Sequence, residues 1–95
     1  AEATIIISGV EEIDEEVFSL MPNPSDAIFY LESEGYEGEL YLQITNRLGQ
    51  VVSEEEVPFT GNYEINLDGL PADIYILTLQ THTGEVHRMK MLLVK

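Results

Sequence analysis

His82 and His87 flank a Thr83-Gly84 turn and could face each other across a hairpin as two metal ligands. Two imidazoles without a third ligand fall short of a zinc site, so both also read as ordinary surface histidines. Glu32, Glu34, Glu37 and Glu39 surround Gly35 and Gly38 in an oxygen-rich loop. Such loops can hold calcium, but this spacing matches no calcium loop, and an acidic chain produces such clusters by chance. Tyr30 and Tyr41 fall at outward positions of two strands expected to be neighbours, where they could stack a sugar ring or act as an ordinary cross-strand pair. Ser8, Ser19, Ser25, Ser33 and Ser53 have no glycine elbow around them and no suitably spaced His–Asp pair. With no cysteine there is no thiol nucleophile, thiolate metal site or disulfide framework. The inventory therefore reads as that of a non-enzyme, with no cofactor and no metal.

A small frame must carry these residues. Ninety-five residues make one domain with one core. Eighteen acids against four basic residues give a formal net charge of −14. That balance argues against binding nucleic acid or anionic lipid by bulk electrostatics. Arg47 is the only basic residue of positions 1 to 66, whereas Arg88, Lys90 and Lys95 fall in the acid-free last eight positions. The asymmetry reads either as a polar tail with its own role or as the solvated outward positions of a last strand. No apolar run approaches the roughly 20 residues of a membrane helix, so no membrane insertion is expected. There is no signal peptide, and a chain starting at Ala1 reads as a fragment or processed piece with any export signal upstream.

Periodicity divides the chain into three parts. Residues 1–8 contain the β-branched run Thr4-Ile5-Ile6-Ile7-Ser8, the end of a preceding segment or an extra strand. Residues 9–16 are an acidic linker, extended and solvated, with a short helical turn as the alternative because Val10, Ile13 and Val17 fall at helical spacing. Residues 17–95 form the domain. Its first strand runs into Pro22-Asn23-Pro24 and reads as an edge strand with a rigid turn. The next strand places Phe29 and Leu31 on one face and Ile28 and Tyr30 on the other, before a hairpin loop bracketed by Gly35 and Gly38. Leu40, Leu42 and Ile44 alternate with Tyr41, Gln43 and Thr45, and a turn follows at Asn46 to Gln50. Glu54, Glu55 and Glu56 mark an exposed edge strand that Pro58 is expected to end. Tyr63, Ile65 and Leu67, then Tyr75, Leu77 and Leu79, and finally Met89, Met91 and Leu93 complete the inward face. The expectation is all-β: an immunoglobulin-like β-sandwich of about seven antiparallel strands.

Within that frame, the stretch from Leu67 to Leu79 resembles a tyrosine corner, in which a tyrosine opening an inner strand ties its hydroxyl to the preceding connection.

Three blocks and an ending extend the likeness. Phe18 to Ser25, carrying Pro22-Asn23-Pro24, resembles the opening block of the type A C-terminal sorting domains of the type IX (Por) secretion system of Bacteroidota. Leu42 to Val52, with Gly49 before paired aliphatics, is similar to that family's central strand–turn–strand. Leu67 to Leu79, with Leu70 and Tyr75, is similar to its third block, and residues 90–95 to its basic and aliphatic ending. Two positions depart from the pattern. Asp73 stands where the family usually has glycine, an expectation of a strained or differently turned corner, and Asn46 replaces the commoner Asp as a turn cap.

The resemblance implies a secretion signal, exported through the periplasm to the cell surface or secreted. Its partners would be an upstream cargo domain, the type IX outer-membrane translocon and a surface sortase-like peptidase that cleaves within or beside the linker. The candidate recognised surface is the last strand, Arg88, Lys90, Met91, Leu93 and Lys95, read by strand addition. The alternative is a carbohydrate-binding or adhesion module on the same sandwich.

Overall fold

The structure, a computed structural model, describes residues 18–95. The expected strand in residues 1–8 and linker in residues 9–16 lie outside the described residues. Seven strands form: β1 (Phe18–Met21), β2 (Ile28–Ser33), β3 (Gly38–Asn46), β4 (Val51–Phe59), β5 (Asn62–Asn66), β6 (Asp73–Thr81) and β7 (Val86–Leu93). Their antiparallel pairings make a three-stranded sheet, β1-β2-β5, and a four-stranded sheet, β4-β3-β6-β7.

Alternation along each strand produces the core. Because successive side chains point to opposite faces, Phe29 and Leu31 on β2, Leu40, Leu42 and Ile44 on β3, and Tyr75, Leu77 and Leu79 on β6 all turn inward and are buried. The register joins them in rows: Leu42 pairs with Leu79, Ile44 with Leu77, and Tyr75 with Met91. A slip of one residue would turn each row toward water, so register and burial enforce each other. The two hairpins of the four-stranded sheet close alike. Asn46 N–H donates to Gln50 O at 2.9 Å and Thr81 N–H to Glu85 O at 2.9 Å, with Gly49 and Gly84 at φ +85° and +96° as the last loop residue of each. Asn46 Oδ1 also accepts the amides of Leu48 and Gln50 at 2.9 and 3.0 Å, the capping expected of it.

Two local expectations need correction. Residues 34–37 are not a hairpin loop: β2 and β3 belong to different sheets, and the segment carries the chain across the sandwich. Glycine-bracketed turns look alike in sequence whether the next strand pairs or crosses. Here the crossing is pinned by Tyr36, whose hydroxyl meets Glu39 O and lies 2.7 Å from His82 Nδ1. Gly38 sits at φ +141°, a conformation that residues with side chains rarely adopt, and a Cβ there would lie 3.0 Å from the His82 ring. Nor does Pro58 end its strand; β4 continues to Phe59. As an edge strand, β4 has only one neighbour to serve, so a missing donor is tolerated.

The corner forms as the resemblance implies. Tyr75 is 2% exposed, and its hydroxyl donates to Pro71 O at 2.7 Å. Leu70 N–H closes the preceding turn on Leu67 O at 3.1 Å, with Gly69 at φ +96°. Asp73 is not a distorted turn residue but the first residue of β6, in register with Leu93. Its Oδ1 accepts from Ile74 N–H at 2.7 Å and its Oδ2 lies 3.4 Å from Arg47 Nε.

Tyr75→Phe should cost about 1–3 kcal/mol in urea unfolding at neutral pH, the range for leaving a buried carbonyl unpaired. Burial, and secondarily the Asp73 carboxylate, push the Tyr75 hydroxyl above its ordinary value of 10.0. The native state therefore holds this proton more tightly than the unfolded chain. The stability it contributes is complete below about pH 10 and is lost as pH rises through the native pKa. Above about pH 10 the unaltered protein should lose stability more steeply than Tyr75→Phe; parallel slopes would mean that the hydroxyl is not held as described.

Candidate functional site

The candidate site is the last strand and its outer edge. β7 pairs with β6 on one side only. Alternation sends His87, Met89, Met91 and Leu93 toward the core and Val86, Arg88, Lys90 and Leu92 to the outer face of the sheet. Met91 and Leu93 are 0% and 1% exposed, so these two candidates are core residues in the folded domain, and the outward side of β7 presents Arg88, Lys90 and Leu92. The ending looks like one basic and aliphatic block in sequence, but the period of two separates its basic residues from Met91 and Leu93.

The outer face is polarised by register. Cross-strand partners share a face, so Glu54–Gln43–Thr78–Arg88 form one row and Thr45–Ile76–Lys90 the next. Acidic side chains occupy the β4 edge and basic ones the β7 edge, with a neutral strip between. Beyond Lys90, Ile74 pairs with Leu92, and these two side chains are 37% and 36% exposed. They make a small apolar neighbour for the cations.

Along the edge of β7 lies the Pro22-Asn23-Pro24-Ser25 segment. Asn23 Nδ2 donates to Lys90 O at 2.6 Å, and Asn23 Oδ1 accepts Leu92 N–H at 2.9 Å. One residue pair further on, Ser25 N–H donates to Leu92 O at 3.0 Å and Ser25 O accepts Val94 N–H at 2.9 Å, the pattern of a parallel bridge between Ser25 and Leu93. The side-chain amide of Asn23 does around Met91 what the main chain of Ser25 does around Leu93. The first strand thus changes sheets: residues 18–21 pair with β2, and residues 23–25 lie against β7. Proline on both sides of Asn23 removes two main-chain donors that would otherwise need partners at this kink. Ser25, 8% exposed, fastens the return by donating from Oγ to Ile28 O at 2.6 Å.

The remaining sequence candidates do not assemble. His82 is engaged by Tyr36, while His87 sits with its ring 5.1 Å from that of Phe18 and its Nε2 3.6 Å from Glu85. Among the described residues no group of three acids or imidazoles gathers as a metal cluster. Tyr30 and Tyr41 lie on different sheets, not neighbouring strands, and face opposite sides of the sandwich. Tyr41 instead donates to Glu54, a bond that, with lesser burial and charge effects, raises its pKa. Sequence reasoning also missed Glu55, which is in register with Leu42 and so faces the inner side of the edge strand. Tyr63 donates to it at 2.8 Å across the open side of the sandwich. The only signal was its parity with Val57 and Phe59.

Comparison with known proteins fits this arrangement. The family profile for a secretion system C-terminal sorting domain matches residues 19–95. The chain therefore belongs to that family, the sorting domains of the type IX system, and carries a type IX C-terminal sorting signal. Among solved structures, it is similar to a DUF3244 family protein with an immunoglobulin-like β-sandwich fold from Bacteroides vulgatus, with a TM-score of 0.72 and 17% identity. That match covers 85% of this chain and 88% of the other and speaks for the fold alone. No curated protein matches the chain. A sorting signal on this sandwich is a non-catalytic kind of domain, and such a tail implies export of the protein that bears it.

The two faces of β7 should respond differently to mutation. Met91→Ala should cost about 2–5 kcal/mol in urea unfolding, as for other buried methionines. Lys90→Ala should remain within about 0.5 kcal/mol of the unaltered chain.

Proposed function

We propose that this domain stands at the end of a larger exported cargo and directs it through the type IX outer-membrane translocon, which reads the outward row of β7. Arg88 and Lys90, with Lys95 beyond the strand, supply the charge, and Leu92 the apolar contact. The observation that carries this reading is the basic row itself: three of the four basic residues of a chain with net charge −14 lie at this end. The acidic residues 9–16 are the segment in which a surface sortase-like peptidase cleaves, separating cargo from signal, and the cargo reaches the cell surface or the medium. For the alternative, a carbohydrate-binding or adhesion module, the Tyr30–Tyr41 pair supplies no sugar-stacking platform, because the two lie on different sheets.

Deleting residues 88–95 is not a clean test, because it removes Met91 and Leu93 from the core. Charge reversal leaves the core intact. Residues 9–95 fused to a periplasmic reporter, in a host with a working type IX system, should bring the reporter to the surface. Arg88→Glu with Lys90→Glu should lower surface reporter at least tenfold while circular dichroism remains that of the folded domain. Retention of the unaltered fusion in the periplasm sinks the sorting function; equal export of both fusions sinks the basic row as the recognised surface.

A further inference from the structure

We propose that the Asn23 side-chain amide is a displaceable cover on a strand-addition surface of β7, and that the incoming partner is an extended acidic polypeptide strand that takes the edge as far as Leu92 N–H while Ser25 stays in place. From Lys90 onward the outer edge of β7 is occupied in cis: Lys90 O, Leu92 N–H, Leu92 O and Val94 N–H are all engaged by Asn23 or Ser25. Toward the start of the strand, among the described residues, no strand pairs with the outward groups of Val86 and Arg88. An incoming strand would seat on this open part first. To extend past Lys90 it must replace the Asn23 amide, which is held by two hydrogen bonds rather than by a continuous ladder. Asn23 is itself exposed, so the exchange requires no opening of the core.

Charge selects the occupant. A second copy adding β7 to β7 in antiparallel register would bring the Arg88 and Lys90 rows of both copies together, and opposed like charges destabilise a strand pair. A strand with carboxylates at alternate positions would instead pair with Arg88 and Lys90 while its main chain takes the edge. The inference deepens the reading of β7 as the recognised surface and rests on it.

The test is a titration of the full chain, labelled with nitrogen-15, with two blocked hexapeptides: one alternating Val and Glu, the other Val and Lys. The Val-Glu peptide should shift the Arg88, Lys90 and Leu92 amides, bind more weakly as salt is raised, and move the Asn23 side-chain amide resonances to solvent-like positions. Asn23→Ala should bind it about tenfold more tightly, the equivalent of removing two modest competing hydrogen bonds. Equal affinity for both peptides overturns the acidic partner. Binding that leaves the Asn23 amide resonances in place overturns the displacement, and this reading needs no variant to fold. Absence of binding by either peptide overturns the proposal as a whole. Surface delivery of the reporter fusion together with failed peptide binding removes this inference and leaves the sorting function standing.

Discussion

A side-chain amide laid on the edge of the last strand joins the two ends of the domain. Asn23 and its partners on β7 are 67 and 69 residues apart in the chain, yet the amide fits between Lys90 and Leu92 as a peptide unit of a neighbouring strand would. This contact depends on everything around it. The prolines permit the turn, Ser25 anchors the return to β2, and the β6–β7 register brings Lys90 and Leu92 to the outer edge. In turn it covers donors and acceptors that would otherwise stand open on an edge strand, a recognised route to unwanted pairing. The opening block and the ending of the family pattern are thus two halves of one hydrogen-bonded arrangement.

The other edges are managed by different means. β4 presents Pro58, a register irregularity opposite Ile44 and Thr45, and an inward carboxylate, Glu55, tied to Tyr63. Each obstructs a flat incoming strand. β7 has neither proline nor an acidic side chain along its length, and among the described residues its exposed part carries cations. Among the described residues, one edge of the four-stranded sheet is thus guarded by its own side chains and the other by Asn23 and Ser25 from Lys90 onward. Its outer face runs from negative to positive between them, so attraction between this face and a partner will be sensitive to ionic strength.

Tyr75 ties this edge to the core. Its hydroxyl bond to Pro71 fixes the start of β6, and β6 sets the register of β7 through Tyr75–Met91 and Leu77–Met89. An error at the corner would change which side chains of β7 face water. The Arg47–Asp73 pair lies on the same corner, but Arg47 is largely exposed, and ion pairs in water contribute little. The hydroxyl and the buried rows are what hold it.

Much of the fold was legible because it is written in local terms. A period of two named Phe29, Leu31, Leu40, Leu42, Ile44, Leu77 and Leu79 as core, and glycine, asparagine and proline marked the turns, since one-sided burial and backbone conformation are properties of short stretches. The likeness of Pro22-Asn23-Pro24, Gly49 and Tyr75 to a family pattern identified the domain without saying what those residues touch. Partnership between distant segments was beyond reach. Whether residues 34–37 return as a hairpin or cross between sheets, whether Tyr30 and Tyr41 share a face, and where the Asn23 amide lands all depend on sheet order, which no local pattern encodes. The sequence by itself determined the strands, the buried rows and the family; the tertiary structure alone decided which of the described strands lie at sheet edges, which edge groups of β7 Asn23 and Ser25 cover, and where the final strand's basic side chains stand relative to the other strands. The physical reason is that side-chain alternation is set residue by residue along one strand, whereas an edge exists only relative to the strands that do or do not lie beside it.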